Sequence, residues 1–121
     1  MFKADTCCSL VPYFEVADGK MEEFKALGEK FVARTKSEPG CLFYAFSFNG
    51  QAAHCREGYA DATALLAHLE NVGSILDEAL KIASISRLEV HGPASELDKL
   101  RGPLSGLNPQ WFILAEDGIR R

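Results

Sequence analysis

Four side chains in the middle of the chain could together carry out acid–base chemistry: Tyr44, Arg56, Glu57 and His68. The imidazole of a histidine titrates near neutral pH, so His68 is the candidate general base. Arg56 or Tyr44 could stabilise an anion, and Glu57 could orient a polar substrate. This chemistry requires that the side chains face one pocket, so we take His68, Arg56 and Glu57 as catalytic candidates.

Each of these residues also has a purely structural interpretation. His68 lies at the border of an apolar helical stripe, where a partly exposed histidine could simply bond to backbone. Arg56 and Glu57 are consecutive in a predicted strand and therefore point to opposite faces. A charge on a covered face needs a partner, which a salt bridge with Glu89 or Arg87 would provide.

Aromatic side chains on neighbouring predicted strands could line a ligand pocket. Aromatic residues in such positions more often belong to the core. An apolar cavity lined by rings and a few polar groups nevertheless suits a flat aromatic molecule. The candidate substrate-binding residues are Tyr44, Phe46, Tyr59 and His91.

Two histidines and two cysteines are the alternative candidates for a metal site. If the first strand runs parallel to the third and antiparallel to the fourth, one end of the sheet holds Cys7, Cys8, His54 and His91. His54 and His91 would then lie roughly 10 Å apart. No tight ligand spacing such as C-x-x-C supports a metal, and no dinucleotide, NTP or serine-hydrolase motif occurs. We expect neither a metal nor another cofactor.

Hydrophobic periodicity and turn signals predict the elements that position these residues. The predicted strands are 8–16, 41–49, 54–59, 85–91 and a short 110–114. The predicted helices are 20–36, 62–83 with a break at 71–74, and 95–101. Asp18 and Asp61 are the expected N-caps of the two main helices, and 115–121 is expected to be a frayed tail. The order predicts an α+β fold with a ferredoxin-like βαββαβ antiparallel sheet and both main helices on one face.

The second predicted strand has apolar residues on both faces, with Leu42, Tyr44, Phe46 and Phe48 on one of them. Helices can cover only one face of such a sheet. The other face would expose a larger apolar patch than monomers usually carry. This pattern predicts that two sheets pack face to face in a homodimer.

Two short motifs resemble those of antibiotic biosynthesis monooxygenase (ABM) domains. The first is Glu-Pro-Gly-Cys-Leu at 38–42, between an amphipathic helix and an aromatic strand. The second is Arg-Glu-Gly-Tyr-Ala-Asp at 56–61, which runs into a helix containing Leu65, His68 and Leu69. The resemblance covers roughly 7–92 and implies a dimeric α/β barrel with a helix–sheet pocket in each subunit.

The resemblance also implies a range of activities. Some members resemble cofactor-free oxygenases of aromatic or quinol substrates, and others degrade haem. The haem-degrading branch uses an Asn on the first strand and a Trp in the pocket. This chain has no Asn in 7–16, and its single Trp, Trp111, lies beyond the matched region. His68 corresponds in position to a helical His of that branch.

Composition limits the partners and the compartment. The 121 residues are 47% hydrophobic and carry a net charge of −4, which is ordinary for a globular domain and leaves no basic patch for nucleic acid. No apolar run is long enough for a membrane span, and the first residues do not resemble a signal peptide. We expect one cytoplasmic domain over 1–121, with a core at about 7–92 and an extension at 93–121. Its four cysteines are expected to be reduced.

Two functional hypotheses follow from the sequence. The favoured one is an ABM-like enzyme that oxygenates a small aromatic or quinone-like molecule without a cofactor. The alternative is a non-catalytic dimeric protein of the same fold that binds a ligand or acts in stress. A sealed, fully packed helix–sheet interface would favour the alternative.

Overall fold

The computed structural model describes residues 2–121, which contain one five-stranded sheet. The strands are β1 (Cys8–Val16), β2 (Cys41–Asn49), β3 (Ala52–Tyr59), β4 (Ala83–Gly92) and β5 (Gln110–Ile113). The helices are α1 (Met21–Thr35), α2 (Ala62–Ala79) and α3 (Ala94–Leu100). The strand order is β2-β3-β1-β4-β5. The predicted α+β, ferredoxin-like fold is confirmed, except that β5 pairs in parallel with β4 and makes the sheet mixed.

The predicted direction of β3 is wrong. β1 and β3 are antiparallel, with Cys8 opposite Tyr59 and Tyr13 opposite His54. The crossover through α1 brings β2 back parallel to β1, and the hairpin after β2 then reverses the chain, so β3 runs against β1. His91 lies opposite Ser9, so His54 lies toward the other end of β1. The convergence of histidines and cysteines that was considered as an alternative does not occur. No group of three His, Cys, Asp or Glu side chains within residues 2–121 could hold a metal ion.

The apolar faces of α1 and α2 pack on one face of the sheet in two clusters. One cluster includes Phe24 and Phe31 from α1, and the other includes Leu65 from α2. α3 adds Leu97, which is fully buried in the second of these clusters. No helix in the described part of the chain is long and apolar enough to cross a membrane.

Several predicted boundaries are wrong for local reasons. α2 is one continuous helix, because a single Gly73 costs less than the burial of the flanking Val72 contributes. Asp61 caps α2 as predicted, accepting a bond from the Ala64 N–H at 2.8 Å. The side chain of Asp18 does not cap α1, whose N-cap is Lys20.

The segment after β5 is tied to the N-terminal segment and is not a frayed tail. The Leu114 N–H donates to the Gly92 carbonyl at 2.9 Å. The Lys3 N–H donates to the Arg120 carbonyl at 2.8 Å. These bonds hold both ends of the segment after β5 against the rest of the chain.

A bulge at the start of β2 changes which side chains face the helices. Cys41 lies opposite Tyr59 and Phe43 opposite Gly58, so Leu42 is an extra residue. Leu42 is 48% exposed, and its predicted place on the face of Tyr44 is wrong. Beyond the bulge, Tyr44 faces the helices as predicted.

Candidate active site

A cavity of about 40 Å³ lies between α2 and the sheet. This volume holds two or three water molecules. Its lining is almost entirely apolar. The residues that line it are Leu10, Pro12, Phe14, Phe31, Tyr44, Phe46, Cys55, Glu57, His68, Leu69, Val72, Leu76, Ile85, Leu88 and Leu107.

His68 enters this cavity from the middle of α2. Its side chain is only 2% exposed, so the predicted position at the border of the buried face is wrong. The imidazole lies between two tyrosine rings, with centroids 5.0 Å from Tyr44 and 5.1 Å from Tyr59. The rings of β2 and β3 therefore limit the orientations that the imidazole can adopt.

Glu38, in the turn before β2, fixes the tautomer of His68. Both carboxylate oxygens of Glu38 lie 3.0 Å from His68 Nδ1. The Asn71 Nδ2 donates to Glu38 Oε2 at 2.7 Å and holds the carboxylate in place. A carboxylate only accepts hydrogen bonds, so Nδ1 carries the proton and Nε2 keeps a free lone pair.

Glu57 lies on β3 opposite that lone pair. Its Oε1 is 3.5 Å from His68 Nε2 and accepts a hydrogen bond of 2.5 Å from the Tyr59 hydroxyl. Burial raises the pKa of Glu57 to about 8, although the hydrogen bonds from Tyr59 and Cys55 act in the opposite direction. Glu57 is therefore a neutral carboxylic acid at neutral pH.

The other titratable groups of the cavity are also neutral. Burial lowers the pKa of His68, and the hydrogen bond to Glu38 only partly offsets this effect. Burial, followed by the nearby Glu57 carboxyl, raises the pKa of Tyr44, Tyr59 and Cys55. The environment thus pushes the pKa of an acid up and that of a base down, the arrangement expected for an acid–base pair.

Two of the predicted site residues lie on the other face of the sheet. Arg56 is exposed, and its guanidinium lies 4.1 Å from the centre of the Phe43 ring. His91 Nε2 lies 2.8 Å from Glu89 Oε1, and its ring stacks on Phe112 at 4.6 Å. The structure does not bring Arg56 or His91 to the cavity.

The salt bridges considered for Arg56 and Glu57 do not form within the described chain. Arg87 instead pairs with Glu89. The side-chain partners of Glu57 are Tyr59, His68 and Cys55. Glu57 is therefore buried without a positive charge beside it.

The sequence matches no protein-family model, and a search of curated proteins gives no match. Among solved structures, the chain is 51% identical to MupZ from Pseudomonas fluorescens. That match covers 96% of each chain with a TM-score of 0.91. Two further structures are described as "putative antibiotic biosynthesis monooxygenase". The chain belongs to the same protein family as MupZ.

The two structures described as antibiotic biosynthesis monooxygenases share the fold at low identity. The one from Caulobacter crescentus is 22% identical over 71% of this chain and 88% of its own, with a TM-score of 0.65. The one from Nitrosomonas europaea is 16% identical over 78% of this chain and 96% of its own, with a TM-score of 0.67. The fold that the ABM resemblance implies is thus confirmed.

Three residues of the site, Glu38, Asn71 and Leu107, are not predicted from the sequence. Glu38 belongs to an ABM-like motif, but Glu-Pro-Gly by itself indicates only a turn. The sequence signal that could have indicated its position is the glycine at 40. In the structure, a Cβ at Gly40 would lie 2.5 Å from the Cβ of Ala64. Glycine lets this turn approach α2 closely, which puts Glu38 beside a helical histidine.

Proposed function

We propose that the protein is an enzyme that moves protons on a largely apolar small molecule between α2 and the sheet. His68 Nε2 is the general base, and Glu57 is the general acid. The observation that carries this proposal is the buried carboxyl of Glu57, whose Oε1 lies 3.5 Å from His68 Nε2 while Glu38 bonds to Nδ1 of the same ring. Proton transfer by positioned groups typically contributes about 10²- to 10⁴-fold to a rate.

The reaction proposed for this site is cofactor-independent oxygenation of an aromatic or quinol-type substrate. His68 removes a proton from the electron-rich substrate, and the Tyr44 hydroxyl donates a hydrogen bond to the resulting anion. The anion reduces O₂. One oxygen atom enters the substrate, and the other leaves as water with the two hydrogens that the substrate loses. Glu57 supplies the proton that the reduced oxygen needs, and His68 returns one to Glu57.

A role in ligand binding alone is not favoured. If the cavity only bound an apolar ligand, the protein would be more stable with apolar residues at 57 and 68, because burying titratable groups costs free energy. Here Glu57 and His68 are 5% and 2% exposed. Buried groups with shifted pKa values in one cavity favour catalysis.

Oxygen uptake with a panel of quinols and hydroxylated polycyclic aromatics tests the proposal. Glu57→Gln and His68→Ala should each lower the rate about 10²-fold or more. Glu89→Gln, which removes a carboxyl from the other face of the sheet, should leave the rate unchanged. Uptake that is absent across the panel, or equal in all three variants and the wild type, contradicts the proposal.

We also propose that the protein is a homodimer that forms through the sheet face opposite the helices. This face includes Tyr13, Phe43 and Phe112, which are 38%, 37% and 40% exposed. The proposed compartment is the cytoplasm, where the four free cysteines would stay reduced.

Sedimentation equilibrium tests the dimer. The wild type should have twice the 13.3 kDa mass of one chain. Tyr13→Glu would bury an unpaired charge at the centre of the interface and should give a folded monomer. Leu80→Glu, at a helix end with 40% exposure, should remain a dimer. A monomeric wild type contradicts this proposal.

A further inference from the structure

One cavity-lining residue differs from the others in its place in the fold. Fourteen of the lining residues belong to β1–β4, α1 or α2. The remaining one is Leu107, in the short 3₁₀ turn between α3 and β5. Leu107 lines the cavity although it is 37% exposed, so it stands between the cavity and solvent.

The loop that carries Leu107, residues 105–109, is held at its two ends. On one side Leu104 is 2% exposed in the core, and on the other Gln110 pairs with Glu89 of β4. Within residues 2–121, the backbone hydrogen bonds from Ser105, Leu107 and Asn108 go only to residues 102–105. Moving this loop therefore breaks no backbone hydrogen bond to the sheet or to α2.

A substrate needs such a movement. The cavity of about 40 Å³ is too small for an aromatic ring, since an engineered cavity of roughly 150 Å³ is known to hold benzene. The other lining residues belong to strands or helices, so a movement of their backbone would disturb a strand ladder or a helix. Displacing Leu107 costs only local contacts of an exposed loop.

We propose that Leu107 is a specificity-determining residue, which closes the entrance to the Glu57–His68 cavity and is displaced when substrate enters. This inference takes only one point from the proposed function, namely that the substrate binds in the Glu57–His68 cavity. The size of residue 107 then sets which molecules reach Glu57 and His68. Since the match with MupZ leaves only 4% of this chain uncovered, most of the 93–121 extension that carries Leu107 has a counterpart there.

The test is the exchange kinetics of 4-fluorophenol, measured by ¹⁹F NMR on the full chain without oxygen. Leu107→Ala should raise the association rate about tenfold or more. The minor, open form of a two-state entrance often makes up about 10% or less of the molecules, and the alanine variant would be open in all of them. The matched control is Leu114→Ala, which truncates a leucine of equal 37% exposure outside the cavity and should not change the rate. Leu107→Met should behave like the wild type.

Three results would overturn the proposal. The first is an association rate that is unchanged in Leu107→Ala. The second is absence of 4-fluorophenol binding in both the wild type and Leu107→Ala. The third is an equal increase in Leu114→Ala. The exchange of the probe is measured without turnover, so these rates would be unaffected if the oxygenation proposal failed. If the entrance proposal failed, Glu57→Gln and His68→Ala would still lower the rate of oxygen uptake.

Discussion

A carboxyl group and an imidazole share the interior of this protein without forming an ion pair. The titratable side chains around Glu57 include Tyr44, Cys55, Tyr59 and His68, and their pKa shifts keep each of them neutral at neutral pH. Desolvation therefore dominates, and the negative charge of Glu38 raises the pKa of Glu57 further. Glu38 also bonds to the Nδ1 side of His68.

Replacing Glu38 should change the base without touching the substrate. Glu38→Gln keeps the shape but lets the amide oxygen or nitrogen face Nδ1, so the Nδ1–H tautomer of His68 is no longer enforced. We expect a loss of roughly 10²-fold in kcat with a smaller change in KM. The ¹⁵N chemical shifts of His68 report the tautomer directly.

Glu22→Gln, a matched change in the first turn of α1, is the control and should alter neither quantity. If Glu38→Gln leaves the Nδ1–H tautomer intact, Glu38 is not the group that fixes it.

At this scale, part of the site is predictable from the sequence. His68 and Glu57 can be identified because a neutral base and a carboxyl have recognisable chemistry and lie in ABM-like motifs. Glu38 cannot, because its contact with His68 spans 30 residues and depends on how a turn packs on a helix. Arg56 does not reach the cavity, since strand alternation puts it on the opposite face from Glu57.

At the scale of elements, the turn before β2 and the helix α2 form one unit. The turn brings Glu38 to His68, and Gly40 is the residue that allows it to come so close. A Cβ at Gly40 would lie 2.5 Å from the Cβ of Ala64, which is closer than two non-bonded carbon atoms approach each other in proteins. The site therefore depends on a contact between two elements that are far apart in sequence.

Gly40→Ala should therefore destabilise the protein by about 1–3 kcal/mol and weaken the Glu38–His68 contact. Urea unfolding measures the first effect, and the ¹⁵N shifts of His68 measure the second. Ala64→Gly in the same chain should restore part of both, since it removes the clashing methyl group.

Gly73→Ala is the matched control on α2. No atom lies within 4 Å of a Cβ at this position, so the substitution should stabilise the helix by about 0.5–1 kcal/mol. A Gly40→Ala variant as stable as the wild type would show that the turn does not need this close approach.

The order of the helices and strands could be predicted from the sequence. The bulge in β2, the continuity of α2 and the pairing of β5 could not. Amphipathic periodicity located α1 and α2, and the Asn-Gly turn located the β2–β3 hairpin. The bulge at Leu42 and the continuity of α2 through Gly73 depend on packing between elements, which periodicity does not describe. The parallel pairing of β5 with β4 likewise requires the α3 crossover to be known.

At the scale of the whole molecule, the buried acid makes folding depend on pH. Folded Glu57 keeps its proton up to a pKa of about 8, whereas the unfolded chain releases it near the ordinary value of 4.5. Unfolding therefore releases a proton in this window, and the free energy of unfolding falls as pH rises from about 5 to 8. His68 acts oppositely below its ordinary pKa of 6.5, since only the unfolded chain is protonated there.

Comparison with Glu57→Gln isolates the effect of the carboxyl. The amide that this substitution introduces does not titrate, so the stability of the wild type relative to the variant should fall by about 4 kcal/mol between pH 5 and pH 8. Urea unfolding of both proteins at several pH values measures this difference. A difference that does not change with pH would mean that Glu57 is not desolvated.

The protonation of Glu57 is the claim on which the proposed acid–base chemistry depends. Infrared difference spectroscopy of the wild type against Glu57→Gln resolves the C=O stretch of a protonated carboxyl. This band should be present at pH 6, absent from the variant, and lost with a midpoint near pH 8. A band that has already disappeared at pH 6, with a midpoint near the ordinary pKa of 4.5, would contradict it.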